Sequence, residues 1–449
     1  MSSRPELLDL ATRIASSAAE GEQVEVCVAR RSSTAVRAYD GAVESFTSAD
    51  TFGIGVRVVS DHRVGFASAG TLDEGVVAEV LADARDNARF AEPDEHAGVA
   101  EPDGVAPVPV DLWRPALPAY GAADKIERAI ALERAVRAAD PRIAGVRVAA
   151  WGDSFGESAV ATSTGIAQWS RATGCHLSVQ ALARDGAETQ TGVGSTVGRE
   201  PDELDFDEAV ADAVDRATRL LGATKISTRR IALILEPRMA ASVIGIVAGT
   251  LCGEPVTKGR SPFADREGDA IAAPVLTLVD DPTDHRSLGA ESHDGEGLAT
   301  RRNVLLDAGR LQGFLLDSTT GRRLGRASTG SAVRSARSMP GAGVQALALE
   351  PGDGSWDDLL ARYDGALVVQ AMTGLHSGVN PVSGDFSVGV EGMLVGGGEA
   401  LQPVREVTVA STLQRLLLDV VAVGADLEWL PSGDGFPTVV VGEVSLSGN

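Results

Sequence analysis

The densest grouping of residues able to do chemistry is VDDPTDHRSLGAESHDGEG, residues 279–297. It offers Asp280, Asp281, Asp284, His285, Glu291, His293, Asp294 and Glu296. Carboxylates and imidazoles are the donors that hard and borderline metal ions take. Asp281, His285 and His293 therefore head a candidate ligand set for a metallohydrolase. The spacing matches no recognisable metal loop, and Gly, Ser, Pro and Asp are equally the residues of solvated turns. A solvent loop following a strand is the reading the composition favours.

A second stretch, HSGVNPVSGDFSVGVEG (376–392), places His376, Asn380, Ser383 and Asp385 around a turn bracketed by Pro381 and Gly384. Asn and Asp suit such corners because their side chains bond nearby backbone. Adjacent residues rarely meet as nucleophile and base, so His376–Ser377 is no catalytic pair. Gly389 and Gly392 interrupt the strand that follows, and glycine in a strand marks close approach of another backbone. Cys175–His176 lies in a strand pattern, where neighbours face opposite sides. GAGVQA (341–346) and Gly396–Gly398 lack the helix that a phosphate loop requires.

These residues need elements to position them. Apolar periodicity predicts helices over 4–19, 72–91 (with Thr71 as N-cap), 122–139 and 205–223 (started by Asp205). Alternation predicts strands over 23–30 and 34–48, a hairpin over 53–70 and a meander over 144–198. Six prolines make 92–118 irregular. After the polar KISTRR (225–230), a strand (231–236) leads to an apolar helix (239–251), and strands dominate from there. The expected fold is α+β in two domains: an N-terminal α/β meander domain over 1–224, and a C-terminal, mostly antiparallel or mixed β domain with a buried helix over 229–449.

Composition limits the function classes. The 449 residues suit two or three domains at roughly 100–200 residues each. A net charge of −23 opposes binding to nucleic acid or anionic membranes. No apolar run approaches the roughly 20 residues of a membrane span, and the first residues lack the pattern of a signal peptide. Three scattered cysteines give neither a disulfide framework nor a metal knuckle. A cytoplasmic setting is the expectation.

GLHSGVNPVSGDFSVGVEG with PVREVTVAST (403–412), together with GIGVRVVSDHRVGFAS near the start and the block beginning at Asp280, resembles the TldD/PmbA family over nearly the whole chain. That resemblance implies a cytosolic two-subunit zinc peptidase acting on unfolded or modified peptides. Its TldD branch carries H-E-x-x-x-H on the helix after the first C-terminal strand, and a Cys near the C-terminus. Its PmbA (TldE) branch lacks these ligands. Here Ile244, Gly245 and Gly249 stand where the two His and the Glu would be, and WLPSGDGFP (429–437) holds no Cys. The resemblance thus implies a TldE-like subunit without zinc or catalytic residues of its own, zinc being held by a TldD-type partner. His376, Asn380, Ser383 and Asp385 would then shape a peptide groove or interface. A homodimeric peptide-binding or regulatory protein is the alternative.

Overall fold

Valine alternation builds the first sheet. In β1 (Glu22–Tyr39), Val24, Val26 and Val28 share one fully buried face, as the two-residue period of a strand requires. β2 (Ala42–Ser60), β3 (Arg63–Ala69), β4 (Ile143–Thr162), β5 (Ala167–Asp185) and β6 (Glu188–Gly198) complete an antiparallel sheet of order β3-β2-β1-β4-β5-β6. The computed structural model describes residues 4–448, so Met1–Ser3 and Asn449, the outer limits of the two expected domains, lie outside the described residues.

Helices cover one face of this sheet. α1 (Arg4–Ala15) and α2 (Glu74–Phe90) pack Leu7, Ala11, Val77 and Ala84 on β1, β2 and β4. After the one-turn α3 (Ala116–Ala119), α4 (Ala122–Ala139) and α5 (Phe206–Thr218) pack Leu132, Val136 and Ala213 on β4 and β5 around Trp151. Each fully buried Leu or Val contributes about 1.5–3 kcal/mol. Asp205 caps α5 as expected, its side chain accepting from the Glu208 N–H. The cap of α2 is Asp73 rather than Thr71: Asp73 accepts from the N–H groups of Gly75 and Val76, while Thr71 accepts only from Asp73 N–H.

β1 and β2 correct the predicted strands. Polar Arg31, Ser32 and Ser33 read as a break, yet β1 runs unbroken because β2 and β4 pair it on both sides through that stretch. The turn falls at Asp40 and Gly41, both at positive φ, inside the span predicted as strand 34–48.

In the C-terminal half, β7 (Arg229–Leu235) leads into α6 (Pro237–Thr250). β7 pairs in parallel with Leu367–Thr373, then antiparallel pairing continues through Asp385–Gly396 and Glu399–Thr412. Val439–Ser447 bonds both Glu399–Thr412 and β7, which closes the strands into a barrel. A second, smaller mixed sheet includes Leu278–Asp280, Asn303–Asp307 and Leu347–Leu349. The largest apolar core lies between barrel, α6 and this sheet. The fold is α+β. Among the described residues no helix is long and apolar enough to cross a membrane.

Candidate functional site

The face of the first sheet that the helices leave bare carries Cys27, Ala29 and Arg31 on β1, and Ser158 and Val160 on β4. Residues 291–297 and 334–337 of the C-terminal half lie over it. Between them is a cavity of about 530 Å³. A recess of about 210 Å³ beside Trp113 and Arg171 shares Trp169, Ser170, Glu291 and His293 with it.

A buried ionic chain meets this cavity at Arg334. Glu25 and Arg57 are direct cross-strand partners in β1 and β2, with an Arg57 Nη2 to Glu25 Oε2 distance of 2.6 Å. Arg57 Nη2 also reaches Glu296 Oε1 at 3.3 Å, and Arg334 Nη1 pairs with the other oxygen of Glu25. Glu296 Oε2 accepts from the Ser318 N–H at 2.8 Å. Burial alone would raise the Glu25 carboxyl, but the Arg57 and Arg334 guanidiniums offset it and hold the group below its ordinary range. Glu296 has one such guanidinium beside it, and burial with the neighbouring Glu25 and Asp317 charges leaves it raised. Such a chain ties the two halves together, because removing either partner strands a buried charge.

The loop over the cavity is held by Asp294. Its Oδ1 accepts from the Glu296 and Leu298 N–H groups at 2.9 and 3.0 Å, and its Oδ2 from Ala332 N–H at 3.0 Å. Burial, then the Glu296 charge, pushes Asp294 up to about 7 against those three bonds. Glu291 meets solvent along the cavity wall but has protein around its other sides, and this enclosure pushes it up to about 7. Burial lowers His293, so its imidazole is neutral at neutral pH. It likewise raises the Cys27 thiol, which is therefore no nucleophile. The cavity wall combines hydrogen-bonding side chains with apolar surface.

The residues singled out in 279–297 disperse. Asp281 accepts from Thr283 N–H and Oγ1 at 3.1 and 2.5 Å, and Asp284 pairs with Arg286 at 2.6 Å. Asp280 is fully buried, accepting from the N–H groups of Gln345 and Ala346, and burial pushes it up to about 6. His285 lines a separate cavity of about 260 Å³ beside Trp429, away from His293. Among the described residues, no three His, Cys, Asp or Glu side chains come together as a metal would need.

The 376–385 stretch is a turn whose side chains bond one another, while its Ser383 and Gly384 carbonyls accept from Gln414 Nε2 and Leu413 N–H. Asn380 Oδ1 accepts from the N–H groups of Val382 and Ser383, Ser383 Oγ donates to Asp385 Oδ2 at 2.6 Å, and His376 is exposed on the one-turn helix Leu375–Gly378. The turn thus brings Asn380, Ser383 and Asp385 together. The strand glycine does mark a close backbone, but one of the same barrel: a Cβ on Gly392 would sit 1.8 Å from the Val368 carbonyl. Cys175 is buried with its thiol pushed up to about 12, while His176 on the opposite face lies over Gly152.

On α6, Ala240, Val243, Ile244, Val247 and Ala248 are buried. Gly245 and Gly249 lie on its other side, where an added Cβ meets nothing within 4 Å. The helix is anchored at its start by Glu236, which accepts from Arg216 and Arg219 of the α5 region at 3.0 and 2.5 Å.

Sequence reasoning missed Glu25, Arg57 and Arg334. The visible signal was a charge centred among valines, V-E-V at 24–26 and V-R-V at 56–58, where a half-buried strand would otherwise be apolar or free in water.

Three consecutive domain descriptions match the chain: PmbA/TldA metallopeptidase domain 1 at residues 24–88, the central domain at 115–221 and the C-terminal domain at 228–448. The chain belongs to the PmbA/TldD metallopeptidase family. It is 29% identical over 426 residues to metalloprotease PmbA of Escherichia coli O157:H7, covering 94% of this chain and 91% of that one. It is 27% identical over 436 residues to a PmbA homolog of Haemophilus influenzae, covering 96% and 93%. The crystal structure of TldE from Thermococcus kodakarensis shares the fold, with a TM-score of 0.84 at 23% identity over 95% of this chain and 97% of that chain. The PmbA/TldD core is therefore present from the first sheet through the barrel.

Proposed function

We propose that this chain is a TldE-type subunit of a two-component peptidase: it encloses and holds an unfolded or modified peptide, while a TldD-type partner carrying H-E-x-x-x-H supplies the zinc and the hydrolysis. The observation that carries this reading is α6. It follows the first C-terminal strand, where the TldD branch places its zinc ligands, and it bears Ile244, Gly245 and Gly249. These residues do not fit zinc, which takes imidazole, thiolate or carboxylate donors. Ile244 is committed to the core. Family membership and the donor-lined cavity support a peptide as the ligand. The open side of α6 and the turn bearing His376, Asn380, Ser383 and Asp385 would be partner-facing or groove-shaping surfaces around that cavity's peptide.

The test is a cleavage assay on an unfolded peptide with this chain alone, with a TldD-type subunit alone, and with both. Cleavage that needs both chains and is lost on chelation is the expected result. A chelator-sensitive peptidase activity of this chain by itself would overturn the reading. If a tagged preparation brings down only a second copy of itself, the homodimeric binding protein takes its place.

A further inference from the structure

We propose that the cavity recognises a free carboxylate, the C-terminal group of its peptide, through the Arg334 guanidinium. This rests on the reading of the chain as a peptide-holding subunit and names the end of the peptide it holds. Arg334 lines the cavity, yet its side chain is only 2% exposed. Its Nη1 is committed to Glu25. Its Nε and Nη2 are both buried and have no hydrogen-bond partner among the described residues, so a ligand reaches them only with a small shift of the surrounding side chains. Those two N–H groups lie on one edge of the guanidinium and point in parallel, the fork that two carboxylate oxygens match. Buried donors left unpaired are costly, and native proteins satisfy nearly all of them. The pairing with Glu25 also fixes the plane of the group, so the fork is set before any ligand arrives.

A second unpaired polar atom stands nearby. His293 Nε2 is buried, lines the same cavity through its residue, and has no partner among the described residues. Arg31 and Arg337 add positive charge to the wall. The acids in that wall are accommodated: Asp294 spends both oxygens on backbone N–H groups, and Glu291 carries a proton part of the time near neutrality. Phe52, Trp169 and Gly295 leave apolar and backbone surface for the residues that precede a terminal carboxylate. A phosphate would satisfy the same fork, so the experiment separates the two.

The full chain is titrated calorimetrically with N-acetylated tetra-alanine, with the same peptide as its C-terminal amide, and with inorganic phosphate. The acid is expected to bind at least about tenfold tighter than the amide, because only it offers two charged acceptors to the fork. Arg334→Lys keeps the charge and the salt bridge to Glu25 but loses the fork, and is expected to abolish the preference. Arg337→Ala lies outside the ionic chain, so it keeps the fold, monitored by circular dichroism, while weakening the acid. Equal affinity for acid and amide would overturn the proposal. So would phosphate binding tighter than the acid, or a preference that survives Arg334→Lys in folded protein. The titration uses this chain alone: a preference for the acid without any partner-dependent cleavage would sink the subunit reading and leave the carboxylate site standing, and the reverse pattern would sink only the site.

Discussion

Two polar loops of this chain look alike in composition and behave oppositely. Residues 376–385 and 291–297 are both rich in Gly, Ser or Asp and both contain a His. The side chains of the first bond within it: Asn380 accepts from Val382 and Ser383 N–H, and Ser383 donates to the Asp385 carboxylate. The second bonds to residues far away, Glu296 to Arg57 and to Ser318 N–H, and Asp294 to Ala332 N–H. A loop that satisfies itself can sit in water and change cheaply. A loop whose polar groups are completed by distant partners is part of the core, and each of those partners becomes indispensable.

The largest expected effect tests that dependence directly. Arg57→Ala leaves Glu25 and Glu296 buried with too little positive charge, and is expected to lower unfolding stability by about 3–5 kcal/mol in denaturant titration. A loss below about 1 kcal/mol would mean the ionic chain is dispensable. Next come two glycines with the same backbone demand. Gly297 and Gly384 have φ of 80° and 87°, where any side chain strains the backbone by about 1–2 kcal/mol. A Cβ on Gly297 would also meet Ile166 Cγ2 at 2.6 Å, in packed surroundings, whereas on Gly384 it meets the flexible Gln414 side chain. Gly297→Ala is therefore expected to cost about 1–3 kcal/mol more than Gly384→Ala, and equal losses would erase the distinction between the loops.

The acids of the first region set a pH dependence of unusual sign. Asp294 sits at about 7 in the folded chain, against an ordinary value of 3.8. Between those limits the folded state holds more protons than the unfolded one, so stability falls as pH rises through about 4 to 7. The carboxyls held low, Glu22 and Glu25 among them, act only below that window; the lowered His176 and His293 oppose the trend within it, while Asp280 at about 6 and the raised Glu296 add to it. Thermal midpoints should thus be higher near about pH 5 than near about pH 8, and Asp294→Asn should flatten the difference. A midpoint that climbs across this range would contradict the assignment. The smallest effect belongs to the second region: Asn380→Ala is expected to cost only about 0.5–1.5 kcal/mol, for two exposed backbone bonds, and leaves the ionic chain untouched.

The α+β class and most elements could be read from periodicity, because α2, α4 and α5 and the valine-rich strands each obey one period over many residues. Polar Arg31–Ser33 suggest a break in β1, and only its two neighbours show that the strand continues. The loop 280–296 stood out by residue type, but its role did not. Glu296 finds Arg57 across 239 positions, and Glu25 finds Arg334 across 309. Local pattern carries no information at that range. The 376–385 turn, by contrast, was legible almost completely, since Asn380 and Asp385 bond within a few positions.

The barrel has a consequence for how the chain is made. β7 begins at Arg229, and the strand that pairs its second edge, Val439–Ser447, is synthesised some two hundred positions later. Contacts so distant in sequence form slowly. Until that last stave leaves the ribosome, β7 and Glu399–Thr412 each expose an unpaired edge, a surface prone to joining other nascent chains. The N-terminal sheet has all six strands by Gly198 and meets no such delay, so an arrested or truncated product should keep a finished first half attached to a sticky, unfinished cylinder.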